Sequence, residues 1–252
     1  MGERIFLAGA SGAVGRRLVP LHVAAGHRVT GTTRVSEKAD ELRGLGAEPV
    51  IVEVFDAAAL AQKIAAARPA IVIHQLTHLP RDLDPQKMPA ALVRNARIRD
   101  EGTKNLVAAA LAAGARRLIA QSIAWVYARG AEPHREEDPV DTAAEGERSV
   151  TIRGVVALEE RVLEAPPLEG IVLRYGFLYG PGTPHQRAAR PIPVHVDAAA
   201  FAALCAVDRG ASGIYKHRRG EPARRHRKGG ARAGLAGGLP AADALRKAGR
   251  RP

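Results

Sequence analysis

The feature that most constrains this chain is a short apolar run, RIFLA at residues 4–8, followed at once by Gly9-Ala10-Ser11-Gly12-Ala13-Val14-Gly15 and then by a helical pattern, VGRRLVPLHVAAG. A strand that turns through glycines straight into a helix must fold against a second strand, because its apolar faces need covering. The rest of the chain supplies those partners. HRVTGTTR and PVIVEVFD read as strands, and AIVIHQL is a continuous apolar run, as expected of a strand buried on both faces. SEKADELRGLGAE, with Ser36 as N-cap, and AAALAQKIAAAR read as helices, as do residues 91–113 and 150–164. ARRLIAQSI and GIVLRYGFLYGPG complete the alternation as strands. Six alternations at this spacing predict an α/β fold with a doubly wound parallel sheet and helices on both faces.

In such sheets ligands sit at the C-terminal ends of the strands. The G-x-x-G-x-x-G loop is suited to a pyrophosphate, since glycines permit close backbone approach and the helix N-terminus offers free N–H groups. Gly9, Ser11, Gly12, Ala13, Val14 and Gly15 are therefore expected to contact a dinucleotide. The second strand ends in Thr32-Thr33-Arg34-Val35-Ser36-Glu37-Lys38, without the acid that would grip a ribose 2′-hydroxyl. Arg34 and Lys38, with Thr33, suit a 2′-phosphate instead, so NADP(H) is expected, with NAD as the other cofactor the loop can take. Asp56 is either a partner for the adenine amino group or the N-cap of the next helix. Gln75 and Leu76, at the end of the fourth strand, complete the expected cofactor contacts.

Six phrases in order carry a resemblance: GASGAVG, IVIHQLT, EGTKNLVAAALAAGARRLIAQS, WVYA, VLRYGFLYGPG and VHVDAAA. Over residues 3–215 the chain resembles the extended short-chain dehydrogenases/reductases, the NAD(P)-dependent epimerase/dehydratase family. The resemblance implies a Rossmann domain (1–180) with a small substrate lobe (181–215), a small-molecule substrate of carbonyl or sugar-nucleotide type, and dimerisation through two long helices. It also implies a catalytic serine or threonine plus Tyr-x-x-x-Lys, and here the sequence departs. Ile152 and Val156 fall at the tyrosine and lysine positions, or Thr151 and Val155 after a one-residue shift. Residues 140–165 contain neither a tyrosine nor a lysine. Ile123 falls at the hydroxyl position, which leaves Ser122 and Tyr127 as the candidate catalytic hydroxyls. Only Thr183–Val194 separate YGPG from HVD, so the lobe is short. Two functions follow: an oxidoreductase or epimerase-like enzyme with a non-standard proton donor, or a non-catalytic, sensor-like dinucleotide-binding protein.

Charge and cysteine count narrow the setting. The net charge of +12 is concentrated in residues 216–252, where twelve basic and two acidic side chains leave residues 1–215 at +2. That tail lacks the apolar content to offset its ordering entropy, so disorder is expected. It reads as a polyanion-binding arm, an inert extension or an out-of-frame translation. Nucleic-acid binding is not expected of the body. A single cysteine, Cys205, excludes an intrachain disulfide. The absence of a long apolar run points away from the membrane, so a cytoplasmic location is expected. No metal-ligand spacing is seen.

Overall fold

The computed structural model describes residues 2–80 and 82–217. Seven parallel strands form one sheet in the order β3-β2-β1-β4-β5-β6-β9. The strands are β1 (Arg4–Ala8), β2 (Arg28–Thr33), β3 (Glu48–Ile51), β4 (Ile71–His74), β5 (Arg117–Ile123), β6 (Glu169–Tyr175) and β9 (Gly213–His217). A separate parallel pair, β7 (Phe177–Tyr179) and β8 (Pro193–His195), lies between β6 and β9 in sequence. This is the doubly wound Rossmann arrangement. Its strand order reverses between β1 and β4, which are paired from Ile5–Ile71 to Ala8–His74.

The alternation within each strand explains the two layers. Ile5 and Leu7 of β1 join Ile71, Ile73, Leu18 and Val19 in one core, under α1 (Gly15–Ala24). Phe6 and Ala8 point the other way, into a core with Val72, Leu60 and Leu106. That second core lies under α3 (Ala57–Ala67) and α5 (Thr103–Ala112). All four residues of β4 are buried, as its unbroken apolar run requires.

The expected helix at 91–113 is longer. α4 (Met88–Arg97) and α5 join through a π-helical turn at Ile98–Gly102. The helix expected at 150–164 begins earlier, as α6 (Gly146–Leu163), because its polar first turn is held by tertiary contacts and carries no apolar period. Ser36 is not an N-cap. A single 3₁₀ turn spans Ser36–Lys38, the Ser36 hydroxyl bonds Glu37, and α2 (Ala39–Gly44) starts after it. The third strand stops at Ile51 and leaves Val52–Asp56 as a connection.

After β8, α7 (Val196–Cys205) packs against α1, and β9 returns to the sheet beside β6. Buried Arg117 ties this return down. Its guanidinium donates to the carbonyls of Ala206, Val207, Arg209 and Gly210 and pairs with Glu169 at 2.6 Å. The last strand includes Lys216 and His217, two residues past the boundary drawn from the sequence. The remainder of the basic tail lies outside the described residues. Among the described residues no helix is long and apolar enough to cross a membrane, and no cluster of potential metal ligands occurs.

Candidate functional site

At the switch point a cleft of about 750 Å³ opens over the ends of β1, β2, β4 and β5. The glycine loop forms one side. Gly9 has φ +88°, and a Cβ there would lie 2.8 Å from the Gln75 carbonyl. At Gly15 a Cβ would lie 2.3 Å from the Gly9 oxygen, so a side chain at either position would force the loop apart. The start of α1 carries no side-chain cap and no acid in its first turn. The N–H groups of Ser11, Ala13 and Val14 find no acceptor among the described residues. This cradle fits an anionic pyrophosphate.

Gly9, Ser11, Gly12, Ala13, Thr33, Arg34, Lys38, Gln75 and Leu76 all border the cleft. Val14 is buried in the core and Gly15 packs on the loop, so the side of each that remains for a ligand is its backbone. Asp56 does not border the cleft; its Oδ1 accepts from the Ala59 N–H at 2.9 Å and caps α3. Of the two readings of this residue, the geometry gives the cap.

Threonines at the end of β2 brace the loop. Thr32 Oγ1 accepts from the Gly9 N–H at 3.0 Å, and the Ser11 hydroxyl lies 3.4 Å from Thr33 Oγ1. Arg34 is held between two groups that the sequence did not place at the cofactor rim. Its guanidinium lies 3.5 Å from Glu53 Oε2 and 3.4 Å from His78 Nδ1. Glu53 is shared with Arg94 at 3.0 Å. Burial, then Arg34 and Arg94, lower the His78 pKa. Arg16 also borders the cleft, with its Nε 3.0 Å from Glu41. Its place in the first turn of α1 was the only signal for it. Glu53 had none, because an acid in a strand-to-helix connection is ordinary.

The far end of the cleft is built on β5, β6 and α6. Ser122 and Arg174 are register partners on adjacent strands. Both meet Glu159 from α6: the Ser122 hydroxyl donates to Oε1 at 2.7 Å, and Arg174 donates to Oε1 at 2.9 Å and Oε2 at 2.6 Å. Arg174 also donates to the Tyr127 hydroxyl at 3.0 Å. The structure thus brings both candidate hydroxyls onto one buried ion pair, with Arg174 2% and Glu159 6% exposed. Ser122 borders the cleft and Tyr127 does not. Burial raises the Tyr127 pKa, and the Arg174 bond works against that rise.

Beside this network the wall is apolar. Ile152 and Val155 of α6 pack with Ile123, Val126 and Tyr127, and Val156 covers the cluster. α6 contains no tyrosine or lysine. Thr151, reached by the shifted alignment, borders the cleft. Trp125 and Phe177 stack at 4.1 Å with planes 7° apart, Arg190 lies 4.7 Å over Phe177, and all three border the cleft.

A family model described as NAD(P)H-binding matches residues 9–191. A 3-diazoavenalumate denitrifying reductase from a Streptomyces species is 41% identical over 244 residues, spanning 87% of this chain and 77% of the relative. A dTDP-4-dehydrorhamnose reductase from Streptomyces griseus is 31% identical over 183 residues, spanning 72% of this chain and 52% of the relative. Among solved structures, the UDP-glucose 4-epimerase of Thermus thermophilus in complex with NAD superposes with a TM-score of 0.69 at 20% identity. That match covers 86% of this chain and 78% of the epimerase.

Proposed function

The chain belongs to the NAD(P)H-binding family, and from that premise we propose that it is an NADP(H)-dependent reductase of a small molecule that needs no tyrosine–lysine proton relay. The observation that carries the reading is the wall of α6: Ile152 and Val155 are sealed in an apolar cluster, and the nearest hydroxyls are bonded to the Glu159–Arg174 pair. The nicotinamide, when bound, supplies a hydride. The chain's own residues hold the pyrophosphate at the glycine loop, place Arg34 and Lys38 at the adenosine end, and line the far end with Ser122, Thr151, Trp125 and Phe177.

The choice of hydride acceptor follows from proton accounting. A carbonyl that takes up hydride becomes an alkoxide and needs a proton from a donor. The Ser122 proton is committed to Glu159, and Tyr127 lies off the cleft. A diazonium carbon–nitrogen group already bears positive charge. Hydride adds to its terminal nitrogen to give a neutral diazene. The diazene N–H then loses its proton to water, the C–N bond breaks, N₂ leaves, and the carbon takes a proton from water, so the hydride step itself needs no donor from the protein. The 41% identical relative is named for a denitrifying reduction of a diazo compound, which supports this class of acceptor. In this reading Ser122 and Tyr127 are positioning residues that keep Arg174 and Glu159 in place.

Two expected results test the reading. With an aryl diazonium acceptor in D₂O, NADPH should be consumed and solvent deuterium should appear in the arene product, and Ser122→Ala and Tyr127→Phe should each lower kcat by less than about tenfold. Removal of a proton donor costs about a hundredfold or more, so a loss of that size, or turnover confined to carbonyl or sugar-nucleotide substrates, overturns the relay-free reading. NADPH bound with no hydride delivered to any acceptor would favour a sensor-like protein. On the cofactor side, NADPH should bind more tightly than NADH. Arg34→Ala should weaken NADPH by roughly tenfold to a hundredfold, the loss of one or two charge-assisted bonds. NADH binding should be unchanged. Glu53→Gln, which frees Arg34, should tighten NADPH. Equal wild-type affinities for the two nucleotides in a fluorescence titration would sink the NADP(H) preference.

A further inference from the structure

Arg99 is the charged group that the preceding reading leaves unused. It lies in the π-helical turn that joins α4 to α5. Such turns displace one residue from the regular helical ladder and recur at functional sites. Close packing seats this one, since a Cβ on Gly102 would lie 3.2 Å from the Val54 side chain. Arg99 is 7% exposed and borders the cleft, as do Ser122, Thr151 and Gln75. Among the described residues its guanidinium makes no hydrogen bond and no ion pair. The acid that attracts it, Glu159, has its carboxylate oxygens occupied by Arg174 and Ser122. Burial pushes the Arg99 pKa down to about 10, and Glu159 only partly opposes that shift. A buried guanidinium without a counter-ion is costly, and the cost disappears when an anion binds it.

The anion does not come from the cofactor's phosphates, whose sites are the glycine loop and the Arg34–Lys38 rim. Arg99 shares the other end of the cleft with the C-terminal end of β5 and with α6. We propose that Arg99 anchors the carboxylate of the substrate, so that the cleft takes a small aromatic carboxylic acid with its ring toward Trp125 and Phe177. The proposal rests on the reductase reading for the identity of the second ligand. A carboxylate balances one guanidinium charge for charge and matches its fork in a bidentate pair. A nucleoside diphosphate would bring surplus negative charge into a buried place.

The test is calorimetric binding of trans-cinnamate, trans-cinnamamide and UDP to the protein saturated with NADPH. Cinnamate should bind at least about tenfold more tightly than its amide, a difference of about 1.4 kcal/mol. UDP should bind no more tightly than cinnamate. Arg99→Gln should remove the preference for the acid while leaving NADPH affinity within about threefold. Equal binding of acid and amide, failure of both to bind, or tighter binding of UDP overturns the carboxylate site. Loss of NADPH affinity in Arg99→Gln assigns the residue to the cofactor and overturns it too. If the variant does not fold, the acid–amide comparison on the wild type decides. If NADPH itself does not bind, the reductase reading has failed, and the same comparison on the cofactor-free protein still judges Arg99.

Discussion

Glu159→Gln is expected to lower folding stability by roughly 3–5 kcal/mol, because it leaves Arg174 as an uncompensated charge in the interior. Arg174 is 2% exposed, and Glu159 supplies both of the carboxylate oxygens it binds. The same change leaves the Ser122 hydroxyl an uncharged amide oxygen in place of a carboxylate and removes the acid that attracts Arg99. For a chain of this size the thermal midpoint should fall by roughly 6–20 °C. Urea or thermal unfolding followed by circular dichroism measures it. The double variant Glu159→Leu, Arg174→Met should recover most of the loss, since an apolar pair of similar volume needs no counter-charge. A loss under about 1 kcal/mol in Glu159→Gln would show that water reaches Arg174. A double variant as unstable as the single one would show that the network holds the fold by hydrogen bonds more than by charge balance.

The second large effect is acid destabilisation driven by two buried histidines. His22 is fully buried in α1, both its ring nitrogens lack a partner, and burial, followed by the charge of His27, lowers its pKa to about 3. His74 at the end of β4 is 1% exposed. Its Nδ1 accepts from the Leu76 N–H at 3.2 Å, which leaves Nε2 to donate to Thr103 Oγ1 at 3.2 Å. Burial and then Arg99 lower the pKa of His74 to about 4. In the unfolded chain both titrate near the ordinary value of about 6.5. As pH falls below that value the unfolded state takes up protons that the native state refuses, so stability falls. Each histidine should contribute about 1.4 kcal/mol per pH unit, from near pH 6.5 down to its own folded pKa. The loss should therefore be steep between pH 6 and pH 4. Chemical denaturation at a series of pH values checks this. His22→Leu should remove about half of the slope, and a slope unchanged by that substitution would place the acid sensitivity elsewhere.

Both effects arise from groups whose surroundings a linear reading cannot see, and the same division runs through the whole molecule. The alternation of Ile5, Phe6, Leu7 and Ala8 is a local pattern, and it sends side chains to two faces whatever the rest of the chain does. The glycine spacing from Gly9 to Gly15 is likewise local, since a turn that must pass within 3 Å of neighbouring backbone tolerates no side chain. The basic rim at Arg34 and Lys38 follows from its place just after a strand end. The fold class, the position of the cleft and most of the expected residues that border it were therefore legible from spacing alone. The missing tyrosine and lysine of α6 were legible too, as identities in a segment.

What spacing could not supply is which charges meet. Ser122 and Glu159 are separated by 37 residues, Arg34 and Glu53 by 19, and no period connects them. Only the parallel register of β5 and β6 sets Ser122 beside Arg174, and only the packing of α6 across them delivers Glu159 to both. The π-helical turn at Arg99 also had no local sign, because the helical period of residues 91–113 reads straight through it. The extra residue per turn is accommodated where Gly102 packs close to Val54. Local sequence determined which elements form and where the glycine cradle lies, because those depend on backbone geometry within a few residues. The tertiary structure decided which acids are already neutralised and that Arg99 is among the cations left without an acid at the cleft, because charge pairing depends on distances that exist only once the sheet is assembled.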